Sequence, residues 1–110
     1  MNQVILVGRL TETPELKIYD DNQKCLSYFN LAITRPYKDE NGEYNTDFIR
    51  CVVWNSIANN VCDYCKKGDM IGVKGRLQSY NYDDSDGIKK YGFEVIAERI
   101  TFISPKKCEN

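Results

Sequence analysis

The feature that most constrains the fold is the order of the segments: five strand-like stretches, with one helical stretch between the third and the fourth. Turn-forming residues at 20–22, 41–42 and 83–87 separate stretches rich in Val, Ile, Tyr and Phe, which is the pattern of strands joined by hairpins. We expect the first strand to bend at Gly8 and at the Thr13-Pro14 step. The predicted strands cover residues 3–19, 25–35, 47–54, 70–82 and 90–103.

The helical stretch runs from Ser56 to Lys67. Apolar residues recur there at helical spacing, behind a Ser or Asn cap and ahead of Gly68. Five strands with a helix between the third and fourth is the order of an OB-fold, a small and partly open Greek-key barrel. With 110 residues, the chain has the length of one domain. The sequence therefore predicts one all-β domain over 1–105 and a short polar tail over 106–110.

Composition excludes several classes of protein. The chain has no histidine, the usual general base near neutral pH, so we expect no catalytic residues, no cofactor and no enzyme activity. No apolar run approaches the roughly 20 residues that span a bilayer, which argues against a membrane partner. The first ten residues resemble a strand rather than a signal peptide, so we expect a cytoplasmic protein.

The pair Cys62 and Cys65 has the CxxC spacing found in zinc and redox sites. A closed zinc site needs four ligands, and Cys25, Cys51 and Cys108 show no second CxxC spacing. We therefore expect no metal, and we interpret both thiols as small apolar residues on the buried side of the helix. A thiol oxidoreductase that uses this pair stays open as a rival hypothesis, and it requires an exposed thiol of low pKa.

Alternation along two strands places rings and cations on a shared face. In the third strand, one face carries Phe48, Arg50, Val52 and Trp54, and the core face carries Ile49, Cys51 and Val53. In the fourth, Ile71, Val73, Gly75 and Leu77 form the core face, opposite Lys74, Arg76, Gln78, Tyr80 and Tyr82. A single ring can be explained by the preference of aromatic residues for strands. The repeated pattern favours a nucleic-acid surface, with bases stacking on rings and guanidinium groups meeting phosphates.

The overall charge counts against this interpretation, because a net charge of −1 is not that of a typical nucleic-acid binder. The segments 3–10, 31–38, 48–54 and 70–82, however, contain no Asp or Glu. Their cations are Arg9, Arg35, Lys38, Arg50, Lys74 and Arg76. We therefore predict a locally basic surface on an acidic protein.

Four long stretches resemble the bacterial single-stranded DNA-binding proteins. They are NQVILVGRLTETPEL at 2–16, TDFIRCVVW at 46–54, KKGDMIGVKGRLQS at 66–79 and YGFEVIAERITFI at 91–103. The resemblance implies an OB-fold that assembles as a homotetramer and protects single strands in replication, recombination and repair. Members of this family usually continue into a flexible linker with an acidic tip that recruits replication and repair proteins. This chain ends without one, so we do not expect such recruitment.

The resemblance also assigns individual residues. It implies stacking roles for Tyr37, Phe48, Trp54 and Tyr82, and it places cations at Arg50 and Arg76. Tyr80 stands where some members of the family carry arginine. Together the two arguments predict a binding set of Tyr37, Phe48, Arg50, Trp54, Arg76, Tyr80, Tyr82, Arg9, Arg35 and Lys74. The rival from another class is an OB-fold adaptor that binds proteins and has no affinity for DNA.

Overall fold

The computed structural model describes residues 1–19 and 24–103 of the chain. Its elements are β1 (Val4–Leu10), β2 (Lys17–Ile18), β3 (Cys25–Lys38), β4 (Tyr44–Trp54), α1 (Asn55–Tyr64), β5 (Met70–Asp83) and β6 (Lys89–Phe102). The helix lies between the third and fourth long strands, as predicted. The predicted turn at 20–22 and the predicted tail at 106–110 lie outside the described residues.

The strands close into a barrel. They follow the order β1-β5-β6-β4-β3-β2, and β1 also pairs with β3 while β4 pairs in parallel with β6. Gly8 lies where β1 passes from β5 to β3, and a Cβ there would be 2.8 Å from both the Ala32 carbonyl oxygen and Ile33 Cγ1. The predicted five-stranded barrel with one helix is confirmed.

The predicted first strand, 3–19, is wrong in its middle. β1 ends at Leu10 and β2 covers only Lys17–Ile18, so residues 11–16 are not in a strand. The Thr11 N–H donates to the Asn30 carbonyl at 3.1 Å, and Pro14 is buried. A proline has no N–H to donate to a strand ladder. Residues 11–16 therefore form a loop that connects β1 to β2 and is held by these contacts.

The helix is shorter than predicted and its start is different. α1 runs over Asn55–Tyr64 rather than 56–67, and its cap is Trp54, with no capping hydrogen bond from a side chain. Asn55 takes a positive φ of 52°, a conformation that asparagine tolerates better than most residues. Its Oδ1 accepts a hydrogen bond from the Cys25 N–H at 3.3 Å. This contact with β3, rather than a Ser or Asn cap, fixes the start of the helix.

The core lies between the inward faces of the strands and α1. The predicted inward residues of the third strand are confirmed, since Cys51 and Val53 are fully buried and Ile49 packs against the same cluster. Ile71 and Val73 of β5 are also buried, but Leu77 is exposed. The prediction of Leu77 as a core residue is wrong because β5 and β6 continue beyond the barrel as a two-stranded hairpin.

The projecting hairpin carries side chains on two exposed faces. Cross-strand pairing places Tyr80 opposite Gly92 on one face, and Ser79 opposite Phe93 on the other. Phe93 and Tyr91 are both well exposed. Within the described residues, no helix has both the length and the apolar character needed to cross a membrane.

Candidate nucleic-acid interface

The outward face of β4 carries two exposed rings with an arginine between them. Phe48 and Trp54 are exposed, and Arg50 lies between them, as the alternation predicted. Val52 is buried although it belongs to the same face, because Tyr28 of β3 lies on one side of it and Ile96 of β6 on the other. Between Arg50 and Trp54 this face is therefore apolar and covered by its neighbours.

Arg50 is held between two rings and a carboxylate. Its guanidinium carbon lies 4.2 Å from the centroid of the Tyr28 ring and 5.7 Å from that of Tyr80. Its Nε donates to Glu94 Oε1 at 3.2 Å, and the Glu94 side chain is only 11% exposed. Since Nε is occupied, the two terminal nitrogens remain to donate to an outside acceptor such as a phosphate.

Tyr28 and Glu94 are site residues that the sequence analysis missed. Alternation was followed only along the third and fourth predicted strands, whereas Tyr28 lies on β3 and Glu94 on β6. The same alternation along β3 places Tyr28 two residues from Asn30, which pairs directly with Arg50. That pattern could have identified Tyr28, but the Glu94 contact depends on how β6 returns alongside β4.

Tyr80 and Tyr82 extend the ring surface onto the projecting hairpin. Their ring centroids are 6.0 Å apart and the planes are tilted by 37°. Tyr80 lies directly across Gly92, and a Cβ at Gly92 would collide with its ring. Glycine at this position lets the ring lie flat on the strand, as aromatic residues often do across from a glycine. We name the surface formed by Tyr28, Phe48, Arg50, Tyr80 and Tyr82 the ring face.

Trp54 lies at the far end of β4 beside Tyr19. The two ring centroids are 6.0 Å apart with planes tilted by 43°. Tyr19 was not predicted, since it precedes the turn at 20–22 and follows no alternation. Its backbone N–H donates to the Lys24 carbonyl at 2.8 Å, so it closes the β2–β3 connection. A second aromatic pair therefore continues the line of rings past the end of β4.

Tyr37 lies near the end of β3, and its ring is exposed. The strand was predicted to end at residue 35, whereas β3 continues to Lys38 and its register shifts between Thr34 and Lys38. Such an irregularity accommodates Pro36, which cannot donate to the ladder. The hairpin from β3 to β4 thus carries Tyr37 away from the barrel wall.

The basic surface stays a prediction, and acids lie beside three of its six cations. Asp47 and Asp83 fall inside β4 and β5, just beyond the acid-free segments 48–54 and 70–82. The three ion pairs are Arg35–Asp47 at 2.8 Å, Arg50–Glu94 at 3.2 Å and Arg76–Glu98 at 3.9 Å. The charges of these three cations are therefore compensated locally. We expect the rings to contribute more of the binding free energy than the cations do.

Two predicted cations lie apart from the ring face. Arg9 Nη1 donates to the Gly68 carbonyl at 3.0 Å, and Lys74 is flanked by Ile5 of β1 and Arg99 of β6. Among the described residues, no hydrogen bond, ion pair or ring contact links either cation to the ring face. Their role in binding stays a prediction, as does that of the other eight predicted residues.

Arg35 and Asp47 form the best-defined ion pair of the surface. Arg35 Nε donates to both carboxylate oxygens at 3.2 and 3.1 Å, and Nη2 donates to Oδ1 at 2.8 Å. These hydrogen bonds lower the pKa of Asp47 and raise the pKa of Arg35. The lowered pKa of Asp47 reflects how well Arg35 stabilises its charged form, and an outside anion has to compete with this carboxylate for Arg35.

We expect Asp47→Asn to strengthen binding to oligo-dT by roughly two- to fivefold at low salt, and to steepen the salt dependence by up to about 0.7 in log K per log salt. The reason is that Arg35 becomes available to a phosphate. Fluorescence anisotropy across a salt series measures both quantities. Asp63→Asn on α1 is the matched control with the same charge change. An equal gain in the control, or an unchanged slope, would contradict the role given to Arg35.

Burial shifts the pKa of two described thiols, Cys51 and Cys62, away from that of a reactive thiol. Burial raises the pKa of Cys51 to about 12, and burial is also the main cause that raises the pKa of Cys62. Cys65 is buried as predicted, but it caps the end of α1 rather than lying within the helix, and Cys62 is only half-buried. A thiol oxidoreductase needs the opposite shift. Residues 1–19 and 24–103 also contain no group of three or more Cys, Asp or Glu side chains placed to hold a metal ion.

A closed barrel of this strand order with one helix defines an OB-fold protein. The profile of the Single-strand binding protein family matches residues 1–103. The chain therefore belongs to the single-strand binding protein family.

Relatives from several bacteria match nearly the whole chain. Single-stranded DNA-binding protein 2 of Listeria monocytogenes serovar 1/2a is 47% identical over 106 residues, 96% of this chain and 66% of that protein. Single-stranded DNA-binding protein A of Bacillus subtilis strain 168 is 44% identical over 96% of this chain and 61% of its own length. The chain thus spans just under two thirds of the length of these relatives.

A solved structure shares the fold. The chain described as "Plasmodium falciparum SSB complex with ssDNA" superposes with a TM-score of 0.82 at 26% sequence identity. The match covers 94% of this chain and 96% of that one. The family resemblance stated from the sequence is confirmed by these comparisons.

Proposed function

We propose that this protein binds and protects single-stranded DNA during replication, recombination and repair, and that it does so without catalysis. The ring face is the observation that carries the proposal: five side chains from β3, β4 and β5 converge on one outward surface. Family membership supports it, as do the relatives named single-stranded DNA-binding protein and a solved relative described as a complex with ssDNA.

In the proposed mechanism, the rings supply most of the affinity and the arginines bind the phosphate backbone of the DNA. Stacking is worth about 1–3 kcal/mol per base and tolerates any base, because every base has a π-face. Arg50 keeps its terminal nitrogens for a phosphate while Glu94 fixes its orientation. Tyr37 and Trp54 would extend the DNA-binding surface beyond the two ends of the ring face. Arg76 would add a phosphate contact in competition with Glu98.

Binding to single strands rather than duplexes is the property to test. We expect the anisotropy of a labelled oligo-dT to rise on addition of the protein, and an unlabelled single strand to compete far better than a duplex of equal length. Bases in a duplex are stacked on each other and do not offer their faces to rings. The adaptor hypothesis requires no response to either DNA, and that result would favour it.

We further propose a homo-oligomer, with a tetramer as the expected form, located in the cytoplasm near the nucleoid. Ile5 and Val7 support the assembly, since both are exposed on the outward side of β1. Adjacent exposed aliphatic side chains are typical of surfaces that another chain covers. Light scattering should give four times the chain mass of 12.8 kDa. A monomer mass at micromolar concentration would contradict the assembly.

A further inference from the structure

A small opening lies beside the ring face, between the loop after β1 and strands β3 and β4. It encloses about 200 Å³, less than the roughly 300–1,000 Å³ of pockets that hold a drug-sized ligand. An opening of this size suits a single ring system. Its walls are formed by Thr11, Glu12, Thr13, Pro14, Tyr28, Phe29, Asn30 and Arg50.

The loop side of the opening is anchored at several points. The Thr11 N–H donates to the Asn30 carbonyl at 3.1 Å, and Thr13 Oγ1 accepts from the Lys67 N–H at 3.0 Å. Pro14 is buried. The opening is therefore already formed without a ligand, which lowers the cost of ordering a wall on binding.

The opening shares two residues with the ring face. Tyr28 and Arg50 line it, and they are also the pair whose ring and guanidinium stack at 4.2 Å. A phosphate held by the terminal nitrogens of Arg50 would bring the attached nucleoside next to the opening. The nucleobase of that nucleoside is therefore the ring system that would lie at the opening.

Two polar side chains, Glu12 and Asn30, are among the residues that line the opening. In the described part of the chain, neither Glu12 nor Asn30 makes a side-chain hydrogen bond or ion pair, so both can meet a ligand. An ionised carboxylate can only accept hydrogen bonds. Adenine, cytosine and guanine carry an exocyclic amino group that donates, whereas thymine and uracil carry carbonyl oxygens that accept.

We propose that this opening is a subsite for one nucleobase bearing an exocyclic amino group, recognised by Glu12 with Asn30 beside it. The inference rests on the proposed function and deepens it. Binding along the ring face is independent of sequence, and this subsite adds a preference at one position of the bound strand. Thymine or uracil can offer the Glu12 carboxylate only the ring N3–H, and the carbonyl oxygens on either side of it are repelled by the carboxylate.

The test compares oligo-dC with oligo-dU, which differ on the pyrimidine ring in the 4-amino or 4-oxo group and the proton on N3. The measured quantity is the ratio of the dissociation constant for oligo-dU to that for oligo-dC. Glu12→Gln keeps the shape but adds a donor that can meet uracil. We expect this ratio to fall by roughly 2- to 12-fold from wild type to Glu12→Gln, the range that one net hydrogen bond gives.

Glu15→Gln is the matched control, because Glu15 is an exposed neighbour outside the lining and loses the same charge. Its ratio should equal that of wild type, even if both variants bind all single strands more tightly. A ratio that is the same in wild type and Glu12→Gln would overturn the subsite, while tight binding of both oligonucleotides would leave the proposed function intact. If the wild-type protein bound neither oligonucleotide, both the subsite and the proposed function would be contradicted.

Discussion

Phe48→Ala is expected to weaken binding to oligo-dT by about 5- to 150-fold at every salt concentration, the loss that corresponds to about 1–3 kcal/mol for one stacked base. Phe48 is 66% exposed, so its ring contributes little to the core and the variant should fold normally. The salt slope should not change, because a phenyl ring neutralises no phosphate. Anisotropy titrations at several salt concentrations, with a thermal melt to confirm folding, measure the effect.

Phe93→Ala is the matched control for that variant. Phe93 is 63% exposed, but it lies on the opposite side of the β5–β6 hairpin from Tyr80. We expect its removal to leave oligo-dT binding unchanged. Equal losses from both variants would show that exposed rings act regardless of position. A loss at Phe48 that disappeared at high salt would assign the effect to charge rather than to stacking.

Leu31→Ala is expected to lower the free energy of unfolding by about 2–5 kcal/mol, the range for deleting a buried leucine side chain. Leu31 is 0% exposed and packs where β3 pairs with both β1 and β4. Its loss leaves a cavity at the closure of the barrel. Urea denaturation followed by circular dichroism gives the value, provided that the slope with urea concentration is similar in the two proteins.

Leu77→Ala is the corresponding control, with the same atoms removed from a residue that is 44% exposed. We expect a change within about 0.5 kcal/mol, as for most surface substitutions. The difference in unfolding free energy between Leu31→Ala and Leu77→Ala distinguishes a residue of the barrel core from one of the projecting hairpin. Similar losses in the two variants would mean that Leu77 belongs to the core, as the sequence pattern had indicated.

The order of elements was predictable because it depends on local patterns. Alternation between Ile49, Cys51 and Val53 identified a core face, and helical spacing before Gly68 identified the helix. The ends of elements were less predictable, since they depend on tertiary contacts. The helix starts where Asn55 accepts from the Cys25 N–H, a contact between residues thirty positions apart.

The site was predictable only where one strand carries it. Phe48, Arg50 and Trp54 follow from alternation along β4, whereas the Arg50–Glu94 pair spans two strands that meet in parallel at Cys51 and Val52. A sequence pattern does not give the register between strands that are distant along the chain. Glu94 beside Arg50 was missed for this reason. Leu77 was misplaced because alternation does not indicate where a barrel wall ends.

Trp54 fluorescence tests the central claim most directly. Trp54 is the sole tryptophan of the chain, and its ring lies exposed at the end of the β4 face that includes Phe48 and Arg50. We expect oligo-dT to quench its emission in a saturable way, and a duplex of equal length to leave it nearly unchanged, because only unpaired bases can stack on the ring. Emission that responds to neither DNA would contradict the account.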